Sequence, residues 1–124
     1  MSLKIGVNGA GGRMGRRVVA LTMQDAELSL SAALEHSACP FIGQDAGELA
    51  GAGRANVVIT SSLQHPVDAI IDFSTPEGLH SVLDLCASRR IPLVVATTGI
   101  TAEQRQAVHE AAQTTPIVMA PSMS

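Results

Sequence analysis

The stretch Lys-Ile-Gly-Val-Asn-Gly-Ala-Gly-Gly-Arg-Met-Gly at residues 4–15 constrains this chain more than any other part of it. A short apolar segment runs into closely spaced glycines and then into residues of helical character. A strand that turns through glycines into a helix sets the helix's unpartnered N–H groups and the positive end of its dipole beside the turn, where a pyrophosphate can sit. Such a turn needs one glycine for the bend, one to let phosphates approach the backbone, and one for close packing of helix on strand. The spacing here is G-x-x-G-x-x-G at Gly9, Gly12 and Gly15, or G-x-G-x-x-x-G if Gly11 is counted, because residue 14 is methionine rather than the glycine of G-x-G-x-x-G. Tight helix–strand packing without a ligand favours the same small residues.

Periodicity extends this opening into a repeating pattern. Leu3 to Asn8 is apolar on both faces, as a buried strand of a parallel sheet is. Arg13 to about Gln24 places Met14, Val18 and Leu21 at i, i+4 and i+7, which predicts a helix with that face inward. Leu28 to Leu34 predicts a second strand, closed by Glu35. From His36 to Asn56, small and polar residues with Gly43, Gly47, Gly51 and Gly53 show no sustained period and predict a long loop, either functional or a tolerated surface insertion. Val57 to Thr60 reads as a short strand and Ser61 to Pro66 as a turn or one helical turn.

Val67 to Phe73 predicts a third full strand, followed by Thr75 as a cap, Pro76 at the first helical position and Glu77 at the positive end of the dipole. Leu79, Val82, Leu83, Cys86 and Ala87 form the apolar stripe of that helix. Ile91 to Ala96 is a strand and Thr97-Thr98-Gly99 a polar turn. A capping box from Thr101 to Gln104 opens a helix with Ala107, Val108, Ala111 and Ala112 inward, and Pro116 to Ala120 is the last strand. The alternation implies right-handed crossovers and an α/β, Rossmann-like, doubly wound parallel sheet with helices on both faces, in a single domain over residues 1–124.

Composition narrows the function. A net charge of -3 without a basic run argues against nucleic acid and anionic membranes as partners, and two Phe with no Trp or Tyr do not suit base stacking. Cys39 and Cys86 are far apart in the chain, no signal peptide precedes the first strand, and no apolar run reaches membrane-spanning length, so two reduced thiols in a cytoplasmic protein are expected. Cys86 lies on a helical stripe as core filler. Cys39, before Pro40, is read as having no His or Cys at metal-ligand spacing, so no metal is expected. His65, His80 and His109 stand in unrelated contexts, the last two on helix surfaces, and no catalytic constellation emerges.

Glu35 supports a dinucleotide. It closes the second strand twenty residues after Gly15, where this fold brings an acid to the adenosine ribose. His36 beside it serves as a ribose donor when neutral, a 2′-phosphate partner when charged, or an exposed loop residue. An acid followed by a weak base predicts that NADH is accepted at least as readily as NADPH. The later turns, Asp72 to Pro76, Ala96 to Gly99 and Ala120 to Ser122, offer small side chains, hydroxyls and free backbone groups suited to orienting a nicotinamide, or simply to capping helices.

Together the motifs resemble the dihydrodipicolinate reductases of bacterial lysine and diaminopimelate synthesis. The resemblance rests on Gly-Ala-Gly-Gly-Arg-Met-Gly at 9–15, Ala-Ala-Leu-Glu at 32–35, Gly-Gln-Asp-Ala-Gly-Glu-Leu-Ala-Gly at 43–51, Asp-Phe-Ser-Thr-Pro-Glu-Gly at 72–78 and Ala-Thr-Thr-Gly at 96–99. It implies NADH- or NADPH-dependent reduction of a cyclic unsaturated dicarboxylate. It also implies that Gly9, Gly12, Arg13 and Met14 hold the pyrophosphate, Glu35 and His36 meet the ribose, and Ala96, Thr97, Thr98, Ala120, Pro121, Ser122 and Met123 approach the nicotinamide. Ser122 stands where the family usually has asparagine, and His36 where it often has arginine.

The resemblance further implies a substrate domain, with a His-x-x-Lys segment and a Ser-Gly-Thr loop, that would begin just after Ser124 and through which a homotetramer forms. Without it the chain is expected to bind cofactor without turnover, and no residue here is assigned a catalytic role. A stand-alone nucleotide sensor or CoA-binding regulatory module of similar fold, and a purely structural α/β domain, remain the alternatives.

Overall fold

A computed structural model describes residues 2–120. Its elements are β1 (Leu3–Asn8), α1 (Arg13–Gln24), β2 (Leu28–Leu34), α2 (Ala46–Leu49), β3 (Ile59–Thr60), β4 (Ala69–Asp72), α3 (Pro76–Arg89), β5 (Leu93–Val95), α4 (Ala102–Ala111) and β6 (Ile117–Met119). All six strands are parallel, in the order β3-β2-β1-β4-β5-β6. The chain winds outward from β1 to β3, then crosses back to β4 and winds outward the other way. That reversal beside β1 opens a crevice at the carboxyl ends of β1 and β4.

Both faces of the sheet are covered. Ile5, Val7, Val19, Ala33 and Ile59 belong to one core cluster, while Leu34, Ile70, Leu79, Val82, Cys86, Leu93, Val95 and Val108 form the other. Neighbouring strand residues separate accordingly: Ile70 is in one cluster and Ile71 packs against the other, as the two-residue period of a strand requires. Cys86 is fully buried, and its thiol is pushed up to about 12 by burial and by the Asp72 charge. It is core, as its stripe predicted, and both cysteines are free. Among the described residues no helix is long and apolar enough to cross a membrane.

The strand ends are level. Thr60 pairs with Leu34, Leu34 with Asn8, Asn8 with Asp72, Asp72 with Val95 and Val95 with Met119. The residues that follow these positions therefore emerge at one edge. Within the β1–β2 ladder the register shifts once, Ile5 pairing with Leu30 and Gly6 with Ala32, so that Ser31 is passed over.

Three expectations need correction. The inward face of α1 is Gly15, Val19 and Thr22, and Met14 and Leu21 are 47% and 60% exposed. Helix and strand approach most closely where a side chain is missing, so Gly15 sets the contact row, Met14 and Leu21 are turned outward, and Val18 keeps a half-buried place against the core. The span 36–56 is not wholly irregular: it contains α2, whose N-terminus Asp45 caps by accepting from the Glu48 N–H at 3.0 Å. In α4, Val108 is buried and Ala107 and Ala111 half-buried, but Ala112 is the exposed C-cap beyond the packed face.

Candidate functional site

The three glycines of the first turn differ in what the fold asks of them. Gly9 has a φ of +87°, and a Cβ there would lie 2.6 Å from the Phe73 carbonyl oxygen. Its N–H and that of Ala10 both donate to the Leu34 carbonyl, at 2.9 and 3.1 Å. A Cβ on Gly15 would run into the Gly9 carbonyl, so this glycine is what lets α1 sit on the turn. Gly12 is different. It is exposed, with φ of -80° and ψ of 169°, a conformation open to any residue, and an added Cβ would touch only the Gly9 carbonyl oxygen, at an ordinary 3.5 Å.

Gly12 is also the N-cap of α1, and it offers no side-chain cap. The other three helices are all capped: Asp45 accepts from the Glu48 N–H at 3.0 Å, Thr75 from Gly78 at 3.1 Å, and Thr101 from Gln104 at 3.1 Å within a full capping box. Nor has α1 an acidic residue in its first turn. Its terminal donors and dipole are left to whatever lies in the cleft, and the exposed Arg13 adds a positive charge at the same end. Exposed Met14 stands beside it.

Glu35, which follows β2, lies against the glycine turn. Its Oε2 accepts from the Gly11 N–H at 3.0 Å and its Oε1 from the His36 N–H at 3.2 Å, leaving the side chain 12% exposed. The His36 imidazole is 69% exposed. Gly9, Gly12, Glu35 and His36 line one cleft of about 580 Å³, closed on its far side by Phe73, Ser74 and Thr75. A second cleft of about 600 Å³ shares Glu35 and His36 and continues to Ser37, Ser61, Leu63 and Arg89.

The turn after β4 is closed upon itself. Asp72 is fully buried and accepts from Asn8 Nδ2 at 2.9 Å, from the Ser74 hydroxyl at 2.6 Å, from the Ser74 N–H at 3.3 Å and from the Thr97 hydroxyl. Asn8 Nδ2 also reaches Ser74 Oγ and the Gly78 carbonyl, both at 3.3 Å. The Thr97 side chain therefore turns inward and braces β4 against β5, while Thr98 is exposed. The N–H of Ala96 donates to the Asp72 carbonyl at 2.9 Å and that of Ala120 to Val95 at 2.8 Å, so these amides extend the sheet. Ala96, Thr97, Thr98 and Ala120 follow β5 and β6 at the same edge but line neither cleft. Pro121, Ser122 and Met123 lie outside the described residues.

Sequence reasoning passed over Asn8, and it took Asp72 only as the start of a polar turn rather than as the buried acceptor that Asn8 meets. The signal was present: each is a polar residue ending an apolar strand, and the two are register partners. It also read Cys39 as isolated. The Cys39 N–H donates to the His36 carbonyl at 3.0 Å, and this turn brings the ligand atoms of Glu35, His36 and Cys39 within 4.8 Å of one another.

With this geometry in view, similarity to known proteins is decisive. The sequence profile of the family described as "Dihydrodipicolinate reductase, N-terminus" matches residues 3–123. The chain belongs to that family. It is 43% identical over 125 residues to the 4-hydroxy-tetrahydrodipicolinate reductase of Syntrophotalea carbinolica, covering 98% of this chain and 47% of the relative. It is likewise 43% identical over 129 residues to the enzyme of the same name from Rhodopirellula baltica, covering 98% of this chain and 45% of the relative. The chain thus spans about half the length of the dihydrodipicolinate reductases it matches.

Among solved structures, a dipicolinate-bound dihydrodipicolinate reductase from Paenisporosarcina sp. TG-14 superposes with a TM-score of 0.73 at 23% identity, over 98% of this chain and 48% of that one. An aspartate semialdehyde dehydrogenase with NADP from Candida albicans superposes with a TM-score of 0.68 at 14% identity, over 96% of this chain and 42% of that one. At these identities the likeness is one of fold, and it agrees with the doubly wound sheet found here.

Proposed function

We propose that residues 1–124 are the NAD(P)H-binding domain of a 4-hydroxy-tetrahydrodipicolinate reductase, a cytoplasmic oxidoreductase of lysine and diaminopimelate synthesis. Its relatives carry that name, and the uncapped N-terminus of α1 at Gly12 is the observation that carries the binding role. Neither Gly12's backbone angles nor its neighbours require glycine, whereas a pyrophosphate reaching the first-turn amides does. The free N–H groups at this end fit a dianionic linker, and Gly9, Gly12, Arg13 and Met14 are the residues placed to hold it. Glu35 and His36 meet the ribose, with the adenine side of the ligand running toward Ser61 and Arg89. Ala96 to Thr98, after β5, and Ala120, after β6, serve the nicotinamide, and the family resemblance alone assigns Pro121, Ser122 and Met123 to it.

When bound, that ring supplies a hydride; the work of the residues here is to orient it and to hold its phosphates. The hydride acceptor is a cyclic unsaturated dicarboxylate. None of the described residues lining the clefts offers a paired cationic anchor for two carboxylates, so substrate capture belongs to the remaining half of such a reductase, together with its tetramer contacts. In this division of labour residues 1–124 supply the cofactor site. Glu35 favours NADH at least as strongly as NADPH, since a carboxylate repels a 2′-phosphate.

Titration with NADH, NADPH and CoA, followed by nicotinamide fluorescence or its displacement, tests this reading. Saturable NADH binding that weakens by about tenfold or more in Gly12→Val is expected, a loss of about 1.4 kcal/mol or more. Binding of CoA without NADH would overturn it in favour of a regulatory module, and robust reduction of dihydrodipicolinate by this chain alone would overturn the division of labour.

A further inference from the structure

The turn from Glu35 to Cys39 brings together a carboxylate, an imidazole and a thiol. Their ligand atoms all lie within 4.8 Å of one another, the one such grouping of His, Cys, Asp and Glu among the described residues. The three are held differently. Cys39 is buried, its Sγ and Glu35 Oε2 both facing Gly11, where an added Cβ would meet them at 3.1 and 3.2 Å. Glu35 is fixed by the Gly11 N–H, and the backbone bond from Cys39 to His36 closes the turn. Only the His36 ring, 69% exposed, is free to swing.

We propose that Glu35, His36 and Cys39 form a binding site for a thiophilic divalent cation of the zinc class, and that its occupation excludes the dinucleotide. Zinc takes sulfur at about 2.3 Å and nitrogen or oxygen at about 2.0–2.2 Å, so tetrahedral ligands stand roughly 3.3–3.8 Å apart. Closing the observed spread to that range takes about 1 Å, to be met by rotation of the exposed His36 imidazole together with small adjustments of the Glu35 and Cys39 side chains. Cys39 loses its proton to solvent as the metal–sulfur bond forms, and water completes the fourth position. The mixture of one soft and two borderline or hard donors selects zinc-like ions over magnesium or calcium.

The consequence for the nucleotide follows from Glu35's double employment. A carboxylate committed to a cation no longer offers its lone pairs to a ribose, and the metal with its water fills the space beside Gly11. Binding is therefore mutually exclusive, and the effect of either ligand on the other is reciprocal. The exclusion rests on the nucleotide reading above; metal binding itself does not.

Cobalt(II) is the probe, because a thiolate ligand gives it a near-ultraviolet charge-transfer band. One equivalent is expected to develop that band in the unaltered protein and in Cys86→Ala, and not in Cys39→Ser, with binding weakened by about tenfold or more in His36→Ala. His36 is exposed, so the last variant reads the site even if Cys39→Ser folds poorly. One equivalent of zinc should raise the NADH dissociation constant by about tenfold or more in the unaltered protein and leave it within about twofold in Cys39→Ser. Absence of the band, its persistence in Cys39→Ser, or unchanged cobalt affinity in His36→Ala would overturn the site. If NADH fails to bind even without metal, the nucleotide reading falls, and the metal site is decided by the band alone.

Discussion

The turn after β1 and the turn after β4 sit side by side at the same edge of the sheet, yet they treat their polar groups in opposite ways. After β4, every demand is met from within: Asp72 takes donors from Asn8, Ser74 and Thr97, and Thr75 caps α3. After β1, glycine removes the side chains that would do the same, and α1 begins uncapped. The closed turn is a wall and the open turn is a socket. With glycine at its N-cap, α1 forgoes only about 0.3 kcal/mol that a Ser, Thr or Asp there would contribute, and its first-turn amides stay open to the cleft.

Substitutions can break this contrast or sharpen it. The largest effect is expected at Gly15→Ala, whose methyl would be driven into the Gly9 carbonyl; a loss of about 3 kcal/mol or more in urea unfolding is expected. A stability near that of the unaltered protein would show that the open turn is far more plastic than its packing indicates. Asp72→Ala should cost about 2 kcal/mol by removing the buried acceptor that the Asn8 amide and two hydroxyls share, and it should bring the Cys86 thiol down from about 12 because the neighbouring charge is gone. Thiol titration of the folded variant separates that electrostatic effect from simple loosening.

Asp45 extends the comparison to the third capped helix. Slight burial opposes its charge, but donation from the backbone of Ala55, Glu48, Val57 and Asn56 outweighs this and holds its carboxyl below the ordinary 3.8. A carboxylate lowered in the folded state stabilises above its unfolded value and ceases to do so as the pH falls through the folded one. Asp45→Ala should thus cost about 1 kcal/mol at neutral pH, and the charge-dependent share of that gap should shrink below pH 3.8 in parallel unfolding curves. The smallest change in stability is expected at Gly12→Ser. A hydroxyl there caps α1 and gains about 0.3 kcal/mol while nucleotide affinity falls, so a variant both more stable and weaker in binding is the signature of a socket. Equal affinity would make the open turn no different from the closed one.

Much of this was legible before the fold was known, for physical reasons. Strands buried on both faces declare themselves as apolar runs, and β1 and β2 appear with the bounds their sequences imply. The caps at Thr75 and Thr101 depend on side chains three residues from their partners and are local enough to read directly. The face of α1 was harder. A helical period admits the row Met14, Val18, Leu21 as well as Gly15, Val19, Thr22, and side-chain size favours the wrong one; close approach at a glycine decides it.

The four-residue α2 is too short to show a period, although Asp45 and Glu48 have capping spacing. In the site, Gly9, Gly12, Glu35 and His36 do converge on one cleft. The Asp72 network escaped notice because it joins residues 64 and 25 positions apart, a relation that only sheet register creates.

That register has a further consequence, for tolerance to changes in chain length. Between Ile5 and Gly6 the partner strand spends one residue, Ser31, that the ladder does not count. Deleting Ser31 would let Leu30 and Ala32 follow one another as plain neighbours, with Leu34 still opposite Asn8 and Glu35 still level with Gly11. No such slack exists in β1, where losing a residue would draw the glycine turn back by about 3.3 Å from the acid that it meets. The molecule therefore carries one spare link in an otherwise length-locked frame, placed just upstream of Glu35.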